Sequence, residues 1–342
     1  MQGSSSERRR VTLADVAAAA GVAVSTASRA LATPGRAHPQ TRANIIRVAQ
    51  ELGYPFDQTP TGSRSEPTHL VAVLVPDVTN PFYFGVIRET QQALRLSGRS
   101  QILVHTEGVP EMEERMLDEL RGSCDGVILA APRLGDERLA ELSVSIPIVA
   151  LNRAVPGVPS VFIDTPHGYD QAIEHLASLG HRRVCYVAGP PTSWANRLRW
   201  RAVVSACRRL GLEHTKVGPF QPRISSGTAA ADAALNTGAT ACVTFNDLIA
   251  IGMLVRWDER GVRVPKDVSI VGCDDIFGAD FCNPPLTTLT APIEQAARTA
   301  VSMLLDRLSG EGETADGSLH RHVVALPTHL TVRASTAPVP SC

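Results

Sequence analysis

Two sets of residues in this 342-residue chain have types and spacing that could do chemistry. The first follows apolar runs: Asp77 and Asn80 after 70–75, Asn152 after Leu151, Asn246 and Asp247 after Phe245, and Asp274 and Asp275 after Gly272. Arg199 stands near the start of a helical stretch that would face the same region. Carboxylates, amides and one guanidinium can grip vicinal hydroxyls in bidentate fashion, while Phe82, Trp194 and Phe220 could stack on the apolar face of a sugar ring. Each has a plainer reading. Asn246 could only cap the helix behind it, Asp274–Asp275 could be a turn, and Phe82 could be core packing. The second set is Val24, Ser25, Thr26, Ser28 and Arg29, a short polar surface with one forked donor. It suits the floor and walls of a DNA major groove.

Neither set forms a catalytic arrangement, and an enzyme is not expected. No phosphate loop, dinucleotide fingerprint or nucleophile elbow occurs, and paired aspartates alone do not make a hydrolase. The seven cysteines (124, 185, 207, 242, 273, 282 and 342) are scattered without a C-x-x-C pair, so reduced thiols are expected, with no metal site and no cofactor. The polar start MQGSSSERRR and the lack of a long apolar stretch point to a cytoplasmic protein with no membrane partner. The net charge of −1 hides an asymmetry. Residues 1–64 carry eight arginines against four carboxylates, a net of +4, so the remainder carries −5. A basic head on an acidic body suggests a polyanion for the head alone.

The elements that must position these residues fall into two kinds. In the head, Thr12 and Asp15 read as an N-cap with an acidic third residue. Leu13, Val16, Ala17 and Ala20 then form one apolar stripe, and Gly21 closes the helix. A second helix is expected over 24–32. A third starts at Pro39, with Ile45, Val48, Ala49 and Leu52 at helical spacing. Three short helices together make a helix-turn-helix unit, an all-α headpiece over 1–54. Residues 55–67, rich in Pro, Gly, Ser and Thr, read as a linker. Beyond them apolar runs (70–75, 101–105, 126–130, 146–151) alternate with helices (84–96, 111–120), and the alternation restarts after Asp164. The restarted series has strands at 183–188, 241–245 and 268–272 and helices at 168–179, 197–210 and 248–260. This predicts an α/β body, 68–336, of two doubly wound parallel-sheet lobes with a cleft between them.

The string V-T-L-A-D-V-A-A-A-A-G-V-A-V-S-T-A-S-R-A-L from Val11, with T-R-A-N-I from Thr41 and L-G-Y-P from Leu52, resembles the LacI/GalR repressor headpiece. The body resembles the same family and its relatives, the periplasmic sugar-binding proteins. It does so in D-V-T-N-P-F-Y from Asp77, L-G-H-R-R-V from Leu179, N-D-L-I-A-I-G from Asn246, V-P-K-D-V-S-I-V-G-C-D-D from Val264 and P-P-L-T-T-L from Pro284. The resemblance implies that Val24, Ser25 and Arg29 read bases. It implies that Thr12, Leu13, Thr26, Ser28, His38, Thr41, Arg42 and Tyr54 hold phosphates or buttress the helix. For the effector it implies Arg199, Asn246 and Asp274 first, then Asn152, Phe82 and Phe220, with Asn80 beside them. Family topology implies crossings between lobes near 163–166, 290–293 and 326–328, giving interleaved lobes of 68–163 plus 293–325 and 166–290 plus 328–336. The sequence departs from the family at Ala23, where a capping serine is usual, and at Ala32, His38, Cys273 and Ala291.

One head reads few base pairs, so two heads on a homodimer are expected to read a palindromic double-stranded operator. The chain ends without heptads, which favours a dimer over a tetramer. A small effector, a sugar by resemblance, would shift DNA affinity by binding one lobe arrangement better than the other. A nucleobase or other metabolite, or a transport-type binding protein, are the alternatives. Pro60, Gly62 and Ser63 stand where relatives form a hinge helix with a leucine wedge. Little helix and little central kinking of the operator are expected there.

Overall fold

The computed structural model describes residues 11–32, 38–52, 54, 67–310 and 323–339. The hinge expectation, on Pro60, Gly62 and Ser63, lies outside the described residues. Contacts divide the chain into two compact units, Met1–Ser65 and Glu66–Cys342.

The first unit is three helices: α1 (Leu13–Ala20), α2 (Val24–Ala32) and α3 (Pro39–Leu52). Thr12 and Asp15 form a complete capping box: the Asp15 amide donates to the Thr12 hydroxyl, and the Thr12 amide donates to the Asp15 carboxylate at 2.8 Å. Gly21 ends α1 in the left-handed region (φ 68°), which only glycine enters freely. Val16 and Ala17 of α1, Ala27 and Ala30 of α2, and Ile45, Val48 and Ala49 of α3 make one buried cluster. Small residues on α1 and α2 let the two helices pack closely. The opposite side of α2 is left to solvent.

The second unit alternates strands and helices. Its first part runs β1 (Leu70–Val75), α4 (Phe82–Leu96), β2 (Ser100–His105), α5 (Pro110–Leu120), β3 (Gly126–Ala130), α6 (Asp136–Ser145), β4 (Ile148–Leu151) and β5 (Ser160–Asp164). It continues with α7 (Thr165–Ser178), β6 (Arg183–Val187), α8 (Trp194–Arg209), β7 (Glu213–Val217), α9 (Gly227–Leu235), β8 (Ala241–Thr244), α10 (Asp247–Glu259) and β9 (Ser269–Val271). Last come β10 (Thr288–Thr290), α11 (Ile293–Ser309), β11 (Val323–Pro327) and β12 (His329–Thr331). Six strands form one sheet in the order β11-β5-β4-β3-β1-β2, and four form another in the order β7-β6-β8-β9. Every pairing within these two sheets is parallel. A short antiparallel pair joins β10 to β12.

Both sheets are covered on two faces, which is why their central strands are apolar throughout. Along β1, Val71, Val73 and Val75 pack in one cluster with residues of α4 and α11. Ala72 and Leu74 point the other way, into a cluster with Leu117 of α5 and Leu139 and Leu142 of α6. The second sheet repeats this: Val184 and Tyr186 pack with α7 and α8, Cys185 and Val187 with α9 and α10. The architecture is therefore a helix-turn-helix headpiece and a two-lobed, doubly wound α/β body.

Candidate functional site

The carboxyl ends of both parallel sheets open onto one cavity of about 250 Å³. In such sheets the strand ends bring loops and helix N-termini together, and ligands bind there. The first sheet contributes Asp77 and Asn80 after β1, Glu107 after β2, Arg133 after β3 and Asn152 after β4. From the second come Ser193 and Arg199 after β6, Arg223 after β7, Asn246 after β8 and Asp274 after β9. Four lining residues other than glycine hold positive φ: Glu107 (56°), Ala131 (47°), Asn152 (60°) and Asp274 (115°). Such conformations cost about 1–3 kcal/mol each and collect where a structure must aim groups at a ligand.

Arg199, 3% exposed, is the centre of the second lobe's wall. Its Nε donates to the Thr165 hydroxyl at 3.3 Å, Nη1 donates to the Phe245 carbonyl, and Nη2 donates to Asp274 Oδ1 at 3.3 Å. The guanidinium also lies over the Phe245 ring, 4.7 Å from its centre. Asp274, 6% exposed, accepts at Oδ1 from Arg199 and from the Cys273 thiol. Oδ2 has no partner among the described residues. Burial pushes the Asp274 pKa up to about 6, against the lowering pull of Arg199. Asn246 caps α10, accepting from the Ile249 amide at 3.2 Å, and its amide nitrogen stays unpartnered among the described residues. The cap and the cavity wall are one residue, because its two ends face different ways. Asn80 accepts from the Phe82 amide at 3.1 Å, and the buried Phe82 ring meets Tyr83 edge-on at 5.0 Å.

In the headpiece, Val24 is 49% exposed, with Ser25 and Ser28 exposed and Thr26 partly so. Arg29 lies on the same helix, and only its backbone is described. Several residues expected to hold phosphate or buttress have internal partners. Thr12 caps α1, Leu13 and Tyr54 pack against the headpiece core, and Arg42 Nε donates to the Ala30 carbonyl at 3.1 Å. His38 is exposed and its carbonyl accepts from the Arg42 amide, while Thr41 is half-buried on α3.

Residues 12–55 match the family "Bacterial regulatory proteins, lacI family", and residues 173–336 match the "Periplasmic binding protein-like domain". An HTH-type transcriptional regulator in the aml 5′ region of Streptomyces limosus is 30% identical, over 95% of this chain and 94% of that one. The transcriptional repressor CytR of Escherichia coli (strain K12) is 29% identical, over 96% and 97%. The structure of the transcriptional regulator CelR with cellobiose superposes with a TM-score of 0.69 at 30% identity, covering 95% of this chain and 100% of that one. The chain belongs to the lacI family. It is a DNA-binding transcriptional regulator with a periplasmic-binding-protein-like body.

Of the effector residues expected from the sequence of this lacI-family regulator, six line the cavity: Asn80, Phe82, Asn152, Arg199, Asn246 and Asp274. Phe220 is not among the lining residues. Its amide donates to the Ala188 carbonyl at 2.9 Å and its ring packs against the α9–α10 core, while the next residues, Gln221 to Arg223, reach the cavity. Trp194 packs edge-on against Phe162 at 5.5 Å instead. Asp275 turns away to Arg333, 2.7 Å, and to the Thr290 hydroxyl. Tyr83, Glu107, Arg133, Ser193 and Arg223 line the cavity as well, and none is among the residues expected there from the sequence. The rule that found Asn152 would have found Glu107 and Arg133, since both follow strand ends.

Asp247 supports the site from behind. Fully buried, it accepts from the Thr288 hydroxyl at 2.6 Å and from the Ile276 amide at 2.9 Å, so it ties down the loop that carries Asp274. Burial, with the Asp274 charge adding to it, pushes its pKa up from 3.8 to about 7. The folded state therefore binds this proton more tightly than the unfolded chain. Stability contributed below the unfolded value is lost as pH rises through about 7, and Asp274 acts in the same direction. Burial lowers the pKa values of His175 and His181, which act the other way. Urea unfolding between about pH 5 and about pH 8 is therefore expected to show wild type losing stability relative to Asp247→Asn as pH rises, by up to about 1.4 kcal/mol per pH unit. Wild-type and Asp247→Asn stabilities that run parallel over this interval would contradict the assignment. Among the described residues no helix is long and apolar enough to cross a membrane, and no cluster of three or more metal-ligating side chains occurs.

Proposed function

We propose that this protein is a cytoplasmic, non-catalytic repressor that reads a palindromic operator as a homodimer and changes operator affinity when a sugar-like effector binds between its lobes. The observation that carries the reading is the convergence of strand ends from both sheets on one polar cavity with spare hydrogen-bonding groups, Asp274 Oδ2 and the Asn246 amide nitrogen, beside the Phe82 ring. Acceptors and donors of this kind hold vicinal hydroxyls, and the ring offers an apolar wall. The likeness to a cellobiose-bound regulator supports the same class of ligand. Val24, Ser25 and Arg29 would read bases, with Thr26, Ser28, His38 and Thr41 at the backbone. The working divisions are a headpiece of 1–54, a linker of 55–67 and a body of 68–336. An apolar pair on the body, Phe277 (77% exposed) against Phe281 (65% exposed), supports association with a second copy.

The effector acts only through differential affinity. A ligand touching both lobes favours the closed arrangement, and the change must reach the headpieces through the linkers. Selecting bound sequences from random DNA with the full-length protein is expected to return two inverted half-sites. Sugars and purines that raise its melting temperature would then be titrated against that labelled operator. A non-repeated recognition sequence, or stabilising ligands that never alter operator affinity, would overturn the reading.

A further inference from the structure

Arg133 is placed in the cavity by a loop whose backbone is held from two sides. The buried Glu113 of α5 accepts at Oε2 from the Arg133 amide at 2.7 Å and from the Leu134 amide at 3.0 Å. From the other side the buried Arg153 donates through Nη1 to the Pro132 carbonyl at 2.8 Å and to the Leu134 carbonyl at 2.7 Å, and through Nη2 to Asp136. Ala131, just before, takes the left-handed conformation that turns the chain into the cavity. A loop fixed this way gives its one cavity-lining cation little freedom to fold back to solvent.

The guanidinium itself makes no hydrogen bond and no ion pair within the described residues, although it is half-buried against the cavity. Of the other two arginines that line the cavity, Arg199 donates from all three guanidinium nitrogens and Arg223 is exposed to solvent. Glu113 attracts Arg133 through space, but one of its oxygens is taken by the two amides and neither comes within ion-pair distance. A partly desolvated, unpaired guanidinium is costly, and it stabilises the complex when a ligand anion supplies the missing partner. Burial lowers the Arg133 pKa, which is the mark of that desolvation. Tyr83 lines the same cavity, and burial keeps its hydroxyl protonated and neutral.

We propose that the effector carries an anionic group, a carboxylate or a phosphate ester, that pairs with Arg133 on the first lobe while its hydroxyls meet Asp274 and Asn246 on the second. The ligand is then a sugar acid or sugar phosphate, and its charge and its hydroxyls are read by different lobes, so that only the whole molecule draws them together. This inference rests on the reading of the cavity as the effector site.

The test is thermal-shift and calorimetric titration of the full-length wild type and of Arg133→Gln, Arg133→Lys and Asp274→Asn. The probes are matched sets: glucose, gluconate and glucose phosphate; ribose, ribonate and ribose phosphate; and inorganic phosphate alone. At least one acid or ester is expected to bind wild type more tightly than its neutral parent. Arg133→Gln should weaken it by about 10–150-fold, the weight of one charge-assisted contact, with partial retention in Arg133→Lys. A preference for the acid locates the source in a sugar acid, and a preference for the ester in a sugar phosphate. Neutral sugars that bind as well as their charged forms, or charged ligands that bind wild type and Arg133→Gln alike, overturn the anion site and leave the cavity reading standing. Ligands whose binding Asp274→Asn leaves unchanged overturn the cavity reading instead. A screen in which no charged probe, phosphate included, shifts the wild type also overturns the anion site. The unliganded melting temperature of each variant separates lost binding from lost folding.

Discussion

Arg199→Ala is expected to destabilise the body by about 3–5 kcal/mol, because removing one member of a buried pair leaves the other charge without compensation. Asp274 would be the stranded group, the Thr165 hydroxyl would lose its donor, and the Phe245 carbonyl would keep only the long bond from the Tyr169 hydroxyl, 3.4 Å. The structure thereby changes what the sequence suggests. Read as a ligand contact alone, Arg199 could be removed with operator binding intact. As a buried strut joining α8 to the β8 and β9 ends, it cannot. Urea unfolding of Arg199→Ala, Asp274→Asn and the double variant Arg199→Met/Asp274→Leu separates the roles. The single Arg199 variant should lose the most. The double variant should recover much of the loss, since a hydrophobic pair of similar volume can replace a buried ion pair. Neither should respond to effector, because both lack the Asp274 carboxylate or its orienting partner. Asp274→Asn, which keeps shape and removes charge, is the cleaner effector-blind variant. An Arg199→Ala protein as stable as wild type would show that the pair is not the strut described here.

A loss of about 1–3 kcal/mol in operator affinity is expected for Arg29→Ala, with preference relaxed at one base in each half-site. Affinity for random DNA should change little, since sequence-independent binding comes from phosphate contacts spread over the surface. The expectation follows from α2, whose inner side is committed to the headpiece core through Ala27 and Ala30 while Val24, Ser25 and Ser28 stay exposed. Competition titrations at fixed salt, using single-base variants of the selected operator, would measure it. Equal losses on specific and random DNA would make Arg29 a phosphate anchor.

Local signals were enough for much of this molecule. The Thr12–Asp15 cap and Gly21 bound α1 as Leu13–Ala20, the apolar run Leu70–Val75 is β1, and Gly126–Ala130 is β3. Each depends on neighbours within a few residues, so the sequence carries it whole. The same holds for the two-lobed body, because a run buried on both faces reads as a parallel strand wherever it occurs. The edge strand β7, Glu-His-Thr-Lys-Val, escaped because it is largely exposed and lacks the apolar pattern. The alanine-rich α9 escaped too. It packs where Gly227 meets Gly252, a close approach visible only once α9 and α10 are together.

The site divides the same way. Position after a strand was legible and located Asn80, Asn152, Asn246 and Asp274, but position does not say what a side chain meets. The pairing of Arg199 with Asp274 spans 75 residues. The withdrawal of Phe220 into the core, and the clamp that leaves Arg133 unpaired beside the cavity, depend likewise on strands brought side by side by the sheet. Sequence determined which groups were available and roughly where along the chain. Tertiary structure decided which are already satisfied and which remain for a ligand, because hydrogen-bond partners and desolvation are set by distance in space and not along the chain.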